Sequence, residues 1–269
     1  MSHQGMNRER QISSGDISES VGVRAVERAA DILVCLGKAE LKLSEVSRSV
    51  GLNKATVLRM LVSLERKGFV SKDAVSGRYS LDWRLWELFS EAPYRSRGLI
   101  ENAYPFMEKL WKHTGESISL YVRKGLDRLC ISELPSLQPL KYTAGVGVTV
   151  PLHAGSPGKL LLAYMSSEEL AEVLDMIEMI SLTGKTITSR SVLLKELQVI
   201  REQGWATSFG ERIEGVSSLS VPVKDREDRV VASLNILGPY VRLGKGCLMG
   251  YLDILREAAR EISSRVSRE

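Results

Sequence analysis

Apolar positions in VRAVERAADILVCLGKA recur at spacings of three and four (Ala25, Ala29, Ile32, Leu33, Leu36), the repeat of an amphipathic helix, and Gly37 supplies its stop. The next stretch, LKLSEVSRSVGLNKATVLRMLVSLERKGF, is the most informative in the chain. Val46 and Val50 lie four apart on a short helix, with Ser44 as its N-cap candidate, and Gly51 breaks it. Asn53 is placed to cap a second helix whose inner face is Val57, Met60, Leu61 and Leu64; Gly68 closes it. Two short helices across a tight glycine turn, after a preceding helix, make a helix-turn-helix. Strand-like Phe69-Val70 and Tyr79 to Leu81 flank a loop holding Asp73, Ser76 and Gly77, which predicts the hairpin wing of a winged helix. A plain helix–helix–hairpin unit with a structural role is the alternative.

Trp83, Leu85, Trp86, Leu88 and Phe89 follow as a dense apolar cluster, suited to closing the domain or to meeting a second subunit. GLIENAYPFMEKLWKHTG then reads as a longer helix with Ile100, Ala103, Met107, Leu110 and Trp111 on one side and a kink at Pro105. An apolar stripe on a linker helix suits a dimer contact. From Glu116 the texture is mixed α/β. Strands are predicted over 117–123 and 129–134, around a turn at Gly125 to Asp127, and over 218–225 and 230–238, joined by the charged turn Asp225 to Asp228. Helices are predicted at Ser166 to Leu174, with Ser166 and Glu169 spaced as a capping box, and at Val192 to Gln203. A last helix carries Leu248, Leu252, Leu255, Ala259, Ile262 and Val266.

The first 20 residues show no apolar period and read as a disordered tail. The division that results is 1–20 tail, 21–92 winged helix-turn-helix (mostly α with a β wing), 93–113 linker helix and 114–269 a second domain. The chain has 269 residues, of which 43 % are hydrophobic and 26 % charged, the balance of a globular protein rather than a disordered or fibrous one. No secretory signal or membrane-spanning run is visible, so the expected location is the cytoplasm. Cys35, Cys130 and Cys247 are widely spaced, which argues against a disulfide framework or structural zinc, and three histidines are too few for a His-rich metal centre. No metal or cofactor is expected.

The net charge of +4 is mild for a nucleic-acid binder, so its placement matters. Residues 53–67 hold Lys54, Arg59, Arg66 and Lys67 against Glu65 alone. A helix in the major groove reads base edges with side chains near its N-terminal end. Lys54, Ala55, Thr56 and Arg59 lie on the face opposite the core and are the expected readers of bases or adjacent phosphates. Lys72 and Arg78 of the wing are expected to hold the backbone. Two-fold dimers read two half-sites, so the expected partner is double-stranded DNA with a palindromic operator.

The run VERAADILVCLGKAELKLSEVSRSVGLNKATVLRMLVSLERKGFVSKDAVSGRYSLDWRLWEL resembles the winged-helix domain of the isocitrate lyase regulator (IclR) family of bacterial transcription factors. TGESISL (114–120), PLHAGSPGKLLLAY (151–164), EGVSSLSVPVKD (214–225) and VVASLNILGP (230–239) resemble the same family's effector-binding domain, in the family's order. The resemblance implies a GAF-like α/β effector domain, homodimers that often pair into tetramers, and action as repressor or activator. It places the effector pocket, motif by motif, at Gly155, Ser156, Pro157, Ser208, Val216, Ser218, Asn235 and Leu237. Ser208 replaces an often acidic residue, Asn235 and Leu237 stand where small hydroxyl residues are common, and Pro157 removes an N–H donor. The pocket so implied takes a small organic acid or aromatic metabolite, larger or more apolar than glyoxylate. The helix around Pro105 is the expected coupler between pocket and DNA.

An enzyme with an accessory DNA-binding module is the competing reading. It lacks a catalytic set: Ser156, His153 and Asp127 sit in no G-x-S-x-G context, and GSPGK has the wrong spacing for a phosphate loop. His153 is expected to be a structural hydrogen-bonder, and Cys130 and Cys247 core thiols. A third reading, a nucleoid-coating protein, would not need a pocket-forming second half.

Overall fold

The computed structural model describes residues 22–91 and 95–266; the 1–20 tail lies outside the described residues. The chain divides between residues 93 and 94 into two compact units. The first contains α1 (Arg24–Leu36), β1 (Leu41–Lys42), α2 (Leu43–Ser49), α3 (Lys54–Arg66), β2 (Val70–Lys72), β3 (Arg78–Leu81) and α4 (Arg84–Glu91). Ile32, Leu36, Val46, Val57, Leu61, Leu64, Val70 and Tyr79 form its core, so the threefold and fourfold spacings of α1 and α3 do converge on one interior. Asn53 caps α3, its Oδ1 accepting from the Thr56 N–H at 2.8 Å. Gly51 has φ +67°, a conformation that favours glycine, and this lets the chain turn between α2 and α3.

Ser44 is not a cap. Leu41 and Lys42 pair with β3, so α2 starts directly after them, and Glu45 closes its first turn by accepting the Lys42 N–H at 2.7 Å. The wing is thus a three-stranded sheet in the order β1-β3-β2, one strand more than the expected hairpin. Asp73 fastens its tip by accepting from the Val75 and Ser76 N–H groups; the Ser76 hydroxyl first, and then these N–H groups, hold its carboxyl below the usual carboxylate range. The tryptophans beyond the wing do not close this unit: Trp83 and Trp86 are 70 % and 67 % exposed. The Phe89 side chain lies outside the described residues.

The second unit is built on a six-stranded antiparallel sheet in the order β6-β5-β4-β9-β8-β7, from β4 (Ser117–Lys124), β5 (Asp127–Leu134), β6 (Thr149–Pro151), β7 (Ala206–Phe209), β8 (Val216–Lys224) and β9 (Val230–Pro239). Alternation along the central strands gives the two faces opposite characters. Ile118, Leu120, Leu219, Val221, Val223, Leu234 and Ile236 pack under α5 (Arg95–Thr114) and α10 (Leu252–Arg265). Ser119, Tyr121, Ser218, Ser220 and Asn235 are the intervening residues, buried on the other face. There α6 (Ser156–Ala163), α7 (Ser167–Met176) and α8 (Arg190–Gln203) form a second core with Leu160, Leu162, Leu174, Leu193, Leu197 and Ile200.

Two expectations change here. The stripe on α5 is Leu99, Ala103, Phe106, Met107 and Leu110, and it is spent inside its own domain rather than left for a partner. The long helix expected around Pro105 is present as α5, with the proline inside it. The last helix is two: α9 (Lys245–Gly250) ends at Tyr251, whose ψ of −2° offsets α10, although the apolar spacing runs on across the break.

Candidate functional site

In the first unit the outward face of α3 presents Lys54, Ala55 and Arg59 exposed and Thr56 half-buried. Lys54 and Arg59 make no ion pair among the described residues, so their charge is available at the N-terminal half of the helix. The two wing cations differ. Lys72 is exposed, with its ammonium 5.5 Å from the centre of the Tyr79 ring. Arg78 is tied inward, Nη1 donating to the Glu40 carbonyl at 2.7 Å and to the Glu45 carboxylate at 3.2 Å.

The polar face of the second unit's sheet carries a pocket of about 430 Å3 including its open mouth. Gly155, Pro157, Ser208, Val216, Ser218, Asn235 and Leu237 line it, together with Tyr121, Arg128, Tyr142, Thr143, Arg212 and Ile213. Ser156 is not a lining residue. It begins α6 rather than lying in a turn, because Gly155, at φ +86°, serves as N-cap and Pro157 occupies the first turn, where its missing N–H costs nothing. Its hydroxyl is buried in a network beneath the pocket, with Ser218 Oγ at 2.7 Å, Ser220 Oγ at 2.8 Å and Asn235 Oδ1 at 3.2 Å. Asn235 also accepts from Ser220 Oγ and donates from Nδ2 to Ser119 Oγ. Ser119, Asn235 and Ser220 are direct cross-strand neighbours on β4, β9 and β8, which is why these groups meet.

The floor also holds a cation that sequence reasoning missed. Arg128 is 1 % exposed, its Nη1 donates to the Pro151 and Ala154 carbonyls at 2.7 and 2.6 Å, and its guanidinium lies 5.4 Å from the Tyr121 ring centre. Its Nε is buried with no hydrogen-bond partner. Burial, and to a lesser degree the charge of Arg212, pulls its pKa down to about 10, so at neutral pH it remains a cation. The signal was present: in DRLCISEL, Arg128, Cys130 and Ser132 alternate, and all three are buried. Beside it Glu211 is fixed by the Gly155 N–H at 3.0 Å and by Lys159 Nζ at 2.6 Å; Lys159, itself buried, also reaches Glu196 at 2.9 Å.

No nucleophile–base pair forms from Ser156 and His153. His153 Nε2 bonds the Ile180 carbonyl at 2.9 Å, and its Nδ1 is buried without a partner. Cys130 is buried and its thiol is pushed up to about 12, chiefly by desolvation. Cys247 is exposed on α9, so it is not a core thiol.

An exposed basic recognition helix in one unit and a pocket floored by a buried arginine in the other define a DNA-binding protein with a small-molecule sensor. The chain belongs to the IclR family of bacterial transcriptional regulators. Residues 25–74 match the IclR helix-turn-helix domain and residues 93–264 the bacterial transcriptional regulator IclR C-terminal domain. The regulator KdgR of Escherichia coli K12 is 34 % identical over 245 residues, spanning 91 % of this chain and 93 % of KdgR. The repressor AllR of the same strain is 29 % identical, spanning 90 % of each chain. Among solved structures, IclR of Thermotoga maritima aligns with a TM-score of 0.75 at 28 % identity, covering 90 % of this chain and 98 % of that one. An IclR homologue from Microbacterium hydrocarbonoxydans, complexed with 4-hydroxybenzoate, aligns with a TM-score of 0.80 at 25 % identity and the same coverage. The protein is therefore a transcriptional regulator with an N-terminal DNA-binding domain and a C-terminal effector-binding domain.

Proposed function

We propose that this regulator binds a palindromic operator as a homodimer, in the cytoplasm where the chromosome lies, and releases or grips it according to a small organic acid held in the second unit's pocket. Lys54, Ala55, Thr56 and Arg59 read the major groove; Lys72 touches the phosphate backbone, and Arg78 acts mainly by fixing the wing against Glu40 and Glu45. In the pocket, the acid's carboxylate meets Arg128, with Gly155, Pro157, Ser208, Val216, Ser218, Asn235 and Leu237 around its body and Ser156 bracing the floor. The observation that carries this is Arg128: a buried guanidinium that lines the pocket and has no carboxylate bonded to it among the described residues is a site made for an anion. The Microbacterium relative, crystallised with an aromatic carboxylate, supports the same ligand class. Binding that differs between two states of the dimer shifts operator affinity by that difference in effector affinity. The protein acts by binding rather than catalysis, since its relatives are named as regulators and Ser156 is engaged by Ser218, Ser220 and Asn235.

The test is binding to the DNA upstream of its own gene against a scrambled duplex, at about 150 mM salt because phosphate contacts alone are salt-sensitive and sequence-blind. A preference of about a thousandfold that shifts on adding one of a panel of carboxylic acids supports the reading. An operator affinity that no acid moves would sink the effector half of it.

A further inference from the structure

Two guanidiniums line the pocket, one more than a single carboxylate needs. Arg128 enters it from β5 and Arg212 from the segment between β7 and β8, and none of the thirteen lining residues is acidic. Neither guanidinium has a carboxylate of its own. Arg128 spends Nη1 on two backbone carbonyls and bonds no carboxylate among the described residues. Arg212, half-exposed, makes no hydrogen bond or ion pair among the described residues. Glu211, whose charge Arg128 does feel, is committed at both oxygens, Oε1 to Lys159 and Oε2 to the Gly155 N–H. The Glu133 oxygens are likewise taken, by the N–H groups of Ala144 and Gly145.

Two like charges sharing a partly desolvated cavity repel, and a monoanion would leave one of them unmatched. The cations come from different elements, one at the floor and one nearer solvent, and Tyr121, Tyr142, Pro157, Ile213, Val216 and Leu237 supply apolar surface to the same pocket. We infer that the effector is a dicarboxylate on a short apolar or aromatic frame, with one carboxylate on Arg128 and the second on Arg212. This rests on the reading of the pocket as an organic-acid effector site. Arg212 is then the residue that sets specificity for a second acidic group, while Arg128 sets the requirement for the first.

Calorimetric titration of the full-length protein with matched acids tests it: benzoate against isophthalate and terephthalate, butyrate against succinate, hexanoate against adipate, and phenyl phosphate as a single doubly charged head. The expected result is that a dicarboxylate binds at least about tenfold more tightly than its monocarboxylate partner, a gap of about 1.4 kcal/mol. Arg212→Gln, at a half-exposed position that should not disturb folding, is expected to collapse that ratio towards one; circular dichroism checks the fold. Equal binding of mono- and dicarboxylates, or a ratio untouched by Arg212→Gln, overturns the two-carboxylate inference and leaves the organic-acid pocket standing. Phenyl phosphate outbinding every dicarboxylate also overturns it, in favour of one dianionic head. No binding by any acid overturns both.

Discussion

Gly158 and Arg128 compete for the same space: a Cβ built on Gly158 would stand 2.6 Å from Nη1 of Arg128 and closer still to the Leu152 carbonyl oxygen. The first turn of α6 therefore passes against the guanidinium only because residue 158 has no side chain. Gly155 is constrained as well, by its positive φ and by an Arg128 Nη2 that a Cβ would meet at 3.1 Å. Gly158→Ala should cost about 1–3 kcal/mol through overpacking and should weaken acid binding by displacing Arg128. Urea denaturation and ligand titration on the same variant check the two effects; unchanged stability would show that the backbone yields.

Lys159 and Glu211 form a pair whose side chains are only 1 % and 10 % exposed. Removing one partner leaves a buried charge unmatched, so Lys159→Met should destabilise the second unit by about 3 kcal/mol or more. Because Glu211 also holds the Gly155 N–H, the variant should lose ligand affinity too. A denaturation midpoint equal to wild type would contradict this.

On the DNA side, Arg59→Ala should cost about 1–3 kcal/mol of operator binding and relax specificity at one position in each half-site. Lys72→Ala should weaken binding evenly across sequences and lower the salt slope by about 1. Titrations of both variants over a salt series separate these roles. Identical salt slopes for wild type and Lys72→Ala would remove Lys72 from the backbone contacts.

Glu45 should titrate below the usual glutamate range, first because it accepts the Lys42 N–H and only then because of the Arg78 charge. A carboxyl depressed in the folded state adds stability above its unfolded pKa, and that stability is lost as pH falls through the folded value. Acidification below the ordinary glutamate range should therefore loosen the first turn of α2. Arg78→Ala should leave most of the depression in place, which carboxyl chemical shifts followed by NMR would show.

The thiols should separate sharply at pH 8. Cys247 is exposed and should alkylate first, whereas Cys130, buried and held protonated with its pKa near 12, should stay silent until the domain unfolds. Mass-spectrometric mapping after brief iodoacetamide treatment reads this directly.

The winged unit was legible because its information is local: Asn53 caps its own helix and the spacing of Val57, Leu61 and Leu64 marks the buried face. α6 was not, because every residue from Ser156 to Ala163 is buried, so no polar face gives a helical period, and its Gly-Ser-Pro-Gly start looks like a turn. The short strands β6 and β7 pair only through neighbours distant in sequence, and neither stands out locally. Seven of the eight pocket positions inferred by resemblance line one cavity, but Arg128 and Arg212 came from no motif. Arg128 could have been found from strand alternation; Arg212, in a segment without period, could not.

The central sheet, with aliphatic residues on one face and mutually bonded serines and an asparagine on the other, serves the pocket as an anvil. Its four inner strands, β5, β4, β9 and β8, are laddered on both edges and backed by α5 and α10, so the floor has little room to move when a ligand presses on it. The walls are held differently. The Tyr142 carbonyl is held by the Ser117 hydroxyl, and the turn at Gly210 and Glu211 by the hydroxyls of Thr183 and Thr186 at its carbonyls and by Lys159 and the Gly155 N–H at the Glu211 carboxylate. A ligand pressing into the pocket therefore meets a floor braced by backbone ladders, and whatever gives way to it must be among the side-chain hydrogen bonds that hold the walls.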